Sequence, residues 1–418
     1  MMSHRNNHGS ALVTFMILSL FAISAITLYS WYSWIRSREN VHGLARQRTL
    51  HDADSCLSST LQWLRIPTAS SDVPMGGIKT LDESVDPILF NRCQVTLRRN
   101  AAPGDYISAD VNSLSETPGG STATIHATIR FTTVTQYFAA VDDTQPISAG
   151  TQLAAGSDPA NYGTVYAPNL VFESGALITI GSAYYADTVS PSETPSNVQF
   201  FLSPYHAQKL PARLNVVMLD SSINQLYKGK SSPLMGPLFI DNSNTLPPSP
   251  THVYFVEGDV TIGPQPLTVT GVYALYATGD IHILNNIGPA LNDADSWIAL
   301  LSEKTIHLDK DAPDELTLVG NFIANAGMIA DSPDTPRGTA GGCSLSITGG
   351  VVGGRSLIFS EVWRNENGCS RTYQYKRFSG ADEDKLYLPN VSTVLDYHVT
   401  AGRAVPLSQQ TTPLPLDR

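Results

Sequence analysis

The sequence predicts an α+β chain: one long N-terminal helix, a small antiparallel sheet, then a β-rich region read as a parallel β-solenoid. Three observations predict it. No Asp, Glu, Lys or Arg stands between Arg5 and Arg36. Helix signals nearly vanish past Pro67, where β-branched and polar residues begin to alternate. Short apolar triplets bounded by Gly, Asp or Lys recur in steps of 21 and 25 residues between 256 and 308.

The first element is the uncharged run 10–35. As helix it covers about 39 Å, more than the roughly 30 Å of bilayer hydrocarbon. Its far end carries Trp31, Tyr32 and Trp34, then Arg36 and Arg38. Such an aromatic and basic anchor favours a retained membrane helix over a removed secretory signal. Arg5 on one side faces Arg36, Arg38, Arg46 and Arg48 on the other, so a bare positive-inside count keeps the C-terminal side cytoplasmic. Cysteine usage and composition favour the opposite orientation. From Arg36 to Arg65 there is no Pro and only Gly43. Leu50, Ala53, Leu57, Leu61 and Leu64 follow steps of three, four, four and three, the period of one helix face. Pro67 closes the pattern. One helix of about 55 residues is expected, apolar all round in its first half and amphipathic in its second.

These residues carry a resemblance. The Gly9-Ser10-Ala11-Leu12-Val13 start, the long helix and the Ala45…Asp52-Ala53-Asp54…Leu57…Leu61 continuation resemble the N-terminal segment of type IV pilin-like proteins, above all minor pilins of the PilX kind and pseudopilins. The resemblance covers about the first 65 residues. It implies that a prepilin peptidase cuts between Gly9 and Ser10 and that the new N-terminus is methylated. Major pilins carry Glu five residues into the mature chain; Thr14 stands there instead, which implies a minor or tip subunit over a bulk one. The physics does not depend on the name. An apolar helix half that sits in lipid can pack against similar halves in a filament core, exchanging one dry environment for another. The implied partners are other pilins or pseudopilins, the peptidase and the membrane, with a surface ligand or glycan for the head. The implied place is a single pass in the inner membrane, head periplasmic or extracellular, and a cell-surface filament.

Composition fits an exported head. Charged residues make up 15% of the 418 and hydrophobic ones 42%, with 31 Gly and 27 Pro. Up to residue 51 there are five Arg against Glu39, whereas the whole chain carries −11, so the head is strongly acidic. That excludes the basic face that nucleic-acid binding requires. Four cysteines, Cys56, Cys93, Cys343 and Cys369, suit an oxidising compartment. Their spacing suggests two local bridges, Cys56–Cys93 and Cys343–Cys369, although four cysteines allow three connectivities. There is no CxxC, and a metal role for them is disfavoured.

Residues 93–98, 105–111 and 122–131 read as strands of a small sheet that the amphipathic helix half covers. Farther on, Val256-Glu257-Gly258-Asp259-Val260-Thr261-Ile262 is answered by Ala277-Thr278-Gly279-Asp280-Ile281-His282-Ile283 and by Ser302-Glu303-Lys304-Thr305-Ile306-His307-Leu308. Short strands are also expected at 169–172, 177–180, 316–319 and 345–347. Repeats of this length are what a parallel β-solenoid needs, its coils sharing one core. The pairs Val260/Ile262, Ile281/Ile283 and Ile306/Leu308 are then inward, and Thr261, His282 and His307 stack outward. A β-sandwich is the competing arrangement.

Chemistry-bearing motifs are sparse. His282 and His307 are read as a solvated stack, not a metal ladder. Asp309-Lys310-Asp311…Asp314-Glu315 and Asn292-Asp293…Asp295 lack the calcium-loop order and are read as turns. Gly229-Lys230-Ser231 lacks the earlier glycine of a phosphate loop, since Asn224 stands in its place. Neither G-x-S-x-G nor HExxH occurs. A polysaccharide lyase on a β-helix needs acidic metal ligands and a basic residue on one face, and only Lys304, Lys310 and Arg337 are basic between 250 and 350. The expectation is a non-enzyme with no catalytic residue, cofactor or metal. Its layout is a leader at 1–9, membrane or filament helix at 10–66, pilin-like β head at 67–140, solenoid-like domain at 141–385 and extended tail at 386–418. It serves assembly, priming or adhesion in a type IV filament system. The alternatives are a single-pass anchored adhesin outside any filament and a carbohydrate-active β-helix.

Overall fold

The computed structural model describes residues 8–66, 69–74, 76–87, 90–100, 106–113, 121–133, 137–141, 144–147, 151–154, 163–173, 176–191, 196, 198–200, 207–210, 213–214, 216, 219–241, 249–289, 296–331, 344–354, 370–374, 376 and 386–403. It is an α+β chain: helix first, then mostly strand. A single helix, α1, runs from His8 to Leu64, 57 residues or about 85 Å. Its C-terminal third lies on an antiparallel sheet of β1 (Ile78–Leu81), β2 (Cys93–Arg99), β3 (Tyr106–Ser113), β4 (Ser121–Thr133) and a closing strand, Asn390–Arg403.

The helix and sheet share one apolar cluster. Ala53, Cys56, Leu57, Trp63 and Leu64 of α1 meet Val95 and Leu97, Ile107 and Val111, and Ile125, Ile129 and Phe131, with Leu50 and Leu61 at its margin. Strand alternation aims those sheet residues at the helix: β2 reads buried-exposed-buried along Cys93–Leu97. The face expected from Leu50 to Leu64 is therefore the packing face. Thr60, also fully buried, donates its hydroxyl back to the Cys56 carbonyl at 2.8 Å.

The closing strand corrects the expectation of a separate extended tail from 386. Asn390–Arg403 pairs with β4 along almost its whole length, from Asn390 against Thr133 to Arg403 against Ser121, with a register shift between Val394 and Asp396. Residues 404–418 lie outside the described residues. Asn390 also finishes the helix. Its backbone N–H donates to the Arg65 carbonyl at 2.9 Å, and its side-chain amide donates to the carbonyls of Leu64 and Ile66 at 3.2 and 2.9 Å. A helix end leaves its last carbonyls without partners, and here a residue more than 300 positions away supplies them. Asn390 is buried, so Asn390→Ala should cost about 1–3 kcal/mol, the price of stranding buried acceptors. Urea unfolding of the full chain reads this directly; a midpoint equal to that of the unaltered protein would contradict it.

Between β4 and the closing strand every described pairing is parallel. Leu238–Ile240, Val260–Ile262, Ile281–Ile283, Thr305–Leu308 and Gly327–Ala330 form one five-stranded sheet. Val260 faces Ile281, Ile281 faces Ile306 and Ile306 faces Met328, steps of 21, 25 and 22. A second, 17-stranded sheet carries the remaining strands, including Val272–Ala277, Trp297–Ser302, Glu315–Ala324 and Ser344–Gly353. Val260, Ile262, Ile281, Ile283, Ile306 and Leu308 all have no exposed surface and share one core with Leu300, Phe322 and Val351 of the larger sheet. The helix Ser221–Lys230, capped by Asp220 accepting from Ser222 and Ile223, buries Ile223 and Tyr227 over a second cluster with Phe255, Tyr276 and Trp297. Burial pushes the Tyr227 phenol well above its usual range; its hydroxyl lies 2.9 Å from the Leu386 and Tyr387 carbonyls.

The order of strands in space is not their order in the chain. Ser344–Gly353 pairs with the much earlier Tyr137–Val141, Val351 against Ala139, and Ser370–Gln374 pairs with Thr151–Ala154. The stack therefore runs from residue 234 onward to 374 and continues into 137–209. The chain leaves β4 and returns to the closing strand at that junction, in the middle of the stack.

Candidate functional site

The N-terminal half of α1 projects from everything else. The span Phe15–Ser37 is long and apolar enough to cross a membrane, and none of it is buried. Phe15, Leu20, Phe21 and Tyr29 are each at least 70% exposed. Nine Leu, Ile, Phe and Met side chains stand open between Phe15 and Leu28. At about 1.5–3 kcal/mol each, leaving them in water would cost on the order of 20 kcal/mol. Transfer of this surface into an apolar environment is therefore strongly favourable. At its lower margin the Arg36 guanidinium lies 5.8 Å from the Tyr32 ring centroid. Leu44, past the basic residues, is also exposed.

The backbone is helical through Gly9 and Ser10, the expected processing junction, and through Thr14. The side chains of Ser10 and Thr14 lie outside the described residues. Within the span, Ser19 and Thr27 turn their hydroxyls back onto the carbonyls of Phe15 and Ile23, which satisfies them without water.

The other end of the helix is fixed by the expected Cys56–Cys93 bridge, with sulfurs 2.05 Å apart and a sequence separation of 37. It ties α1 to β2; the strand before it, Ile78–Leu81, was not anticipated. Cys343 and Cys369 lie outside the described residues. At the helix end, burial draws the Arg65 guanidinium down from its ordinary value and nearby Asp220 opposes that shift. Arg130 of β4 lies 4.3 Å from the ring of Tyr184, joining head sheet to parallel stack.

The repeat places His282 and His307 as expected. They are register partners whose rings stack 4.8 Å apart at 10°. The register adds what the motif alone could not: Asp309 and Asp331 flank the column on one side and Asp280 on the other. His282 Nδ1 lies 3.7 Å from Asp309 Oδ2, and His307 Nδ1 lies 2.9 Å from Asp331 Oδ1. His307 Nε2 is 3.8 Å from Asp280 Oδ1, and Lys304 Nζ is 3.9 Å from Asp280 Oδ2. Asp309 also accepts from the Asp311 backbone at 3.0 Å, the local turn expected of that segment. Gly229 and Lys230 end a helix, whereas a phosphate loop begins one. Asn292, Asp295 and Arg337 lie outside the described residues.

No protein-family model matches the chain, and no curated protein matches it. Among solved structures the chain is similar to the competence-associated pilin ComZ from Thermus thermophilus, at 11% identity and a TM-score of 0.30, over 87% of this chain and 97% of that one. So slight a likeness carries no weight for this chain, whose own residues bear the functional reading.

Proposed function

We propose that this chain is a non-catalytic subunit of a type IV filament system, a minor pilin or pseudopilin of the PilX kind. It waits in the inner membrane by one helix, with its head periplasmic or extracellular, and enters a filament alongside other pilins. The carrying observation is the division of α1: one half exposed and apolar on every side, the other packed and disulfide-bonded to the head sheet. A plain membrane anchor needs only the first half. A filament subunit needs both, because the buried half fixes the angle at which the head leaves the core. The disulfide supports an oxidising side for the head. Thr14 in place of a core carboxylate supports a tip or priming position, where no preceding subunit supplies an amine for it to pair with. The parallel register in steps of 21, 25 and 22, with one shared apolar core, supports a β-solenoid as the presented surface, for adhesion or assembly contacts.

Mass spectrometry of the mature N-terminus tests the reading. In cells with a prepilin peptidase, the chain should begin at a methylated Ser10, and Gly9→Val should accumulate uncut protein. A chain still starting at Met1 or Met2 in those cells would sink the filament reading and leave an anchored surface protein.

A further inference from the structure

We infer that the column His282–His307, with Asp331, is a binding site for a first-row divalent transition-metal ion of the zinc, nickel or cobalt kind. The inference stands apart from the filament reading, because it uses only the parallel stack. One ligand atom from each of the three side chains falls within 4.8 Å of the others, the one such group of His, Cys, Asp or Glu among the described residues. Three successive strands supply them: Ile281–Ile283, Thr305–Leu308 and, just past its end, Gly327–Ala330. The parallel register repeats one diagonal, each histidine Nδ1 facing the aspartate one strand up: His282 to Asp309 and His307 to Asp331.

The spacing suits coordination. With bonds of about 2.1 Å, the ligands of a tetrahedral ion stand roughly 3.4 Å apart. His307 Nδ1 and Asp331 Oδ1, at 2.9 Å, stand within roughly half an ångström of that separation, and the ion replaces the proton between them. His282, whose ligand atom lies within 4.8 Å of the other two, closes the remaining distance by rotation about its broad χ2 torsion. Charge agrees as well. Asp280, Asp309 and Asp331 outnumber Lys304 three to one, leaving two negative charges for a dication. Asp280, 3.8 Å from the other nitrogen of His307, stands where an outer carboxylate orients a ligating imidazole. Two imidazoles select zinc, nickel or cobalt over calcium, which takes six to eight oxygens. The side chains of His282, His307 and Asp331 are 34%, 20% and 31% exposed, half-sheltered yet open to an ion.

The head sheet offers a built-in comparison. His126 and His398 also stack at 4.8 Å, and His126 Nδ1 meets Asp110 at 2.7 Å, but those three side chains do not bring their ligand atoms into one such group.

Isothermal titration of the detergent-solubilised, chelator-stripped full chain with Zn2+ provides the test, with Co2+ absorption as a second readout. One high-affinity Zn2+ per chain is expected, and a Co2+ visible band. His282→Ala with His307→Ala should abolish the band and weaken binding at least 100-fold, Asp331→Asn at least tenfold, and His126→Ala not at all. Ca2+ should not compete. Asp331→Asn is the variant least able to disturb folding, so it decides the matter if the double variant fails to fold. Absence of saturable one-to-one binding, or binding that survives Asp331→Asn unchanged, would overturn the assignment, placing any residual zinc on scattered histidines such as His51.

Discussion

Replacing Cys56 and Cys93 together by alanine is expected to lower the stability of the head by about 4 kcal/mol, the loop-closure value for a span of 37 residues. Both positions are buried in the cluster between α1 and the sheet, so the change adds a small packing loss to the entropic one. Trp63 sits in the same cluster at 8% exposure and reports on it by fluorescence. With a urea slope of roughly 1–3 kcal/mol per molar, the midpoint should fall by more than 1 M. A shift under about 0.3 M would mean that the helix is held by packing alone.

The second large effect is expected at a corner of the parallel stack. Gly320 and Gly349 are register partners on successive strands, and Ile298 of the strand before lies against Gly320. Gly320 and Gly349 have φ of 153° and 135°, a region that side chains avoid. A Cβ on Gly349 would lie 1.9 Å from the Gly320 carbonyl oxygen, and one on Gly320 would lie 2.4 Å from that of Ile298. Both obstacles are backbone and cannot swing away. Gly349→Ala therefore combines about 1–3 kcal/mol of backbone strain with about 1–3 of overpacking, roughly 2–6 in all. Gly288→Ala is the matched control: a Cβ there meets nothing within 4 Å, and the change should stay within about 1 kcal/mol. Thermal unfolding of the two variants side by side checks the contrast, and equal midpoints would refute the tight corner.

Much of this architecture was legible in the sequence, for physical reasons. A 57-residue helix is readable because its two halves obey different rules, one uncharged throughout and the other with a clear apolar face. The histidine register was readable because an inward residue on each side of each histidine fixes which way it points. The closing strand was not. Its register shift between Val394 and Asp396 breaks the alternation that marks a strand, and its partner lies some 270 residues away. The order of the stack was hidden too, since Val351 pairs with Ala139, which stands more than 200 positions earlier in the chain. Asp331 belonged to no motif and became a candidate ligand only once Ile306 was set against Met328.

The pairing of β4 with the closing strand reaches beyond stability. Seen along the chain, everything from 134 to 389 is an insertion between two adjacent strands of the head sheet, whose ends meet at one place. Tied back to back by such a pair, the helix and its five-stranded sheet make a complete carrier, and the parallel stack is its cargo. A cargo whose two covalent connections lie side by side can be lengthened, trimmed or exchanged without touching the exposed apolar surface of α1. Both covalent connections leave together, so a cut in either one would leave the cargo attached by the other and by the strand pairing.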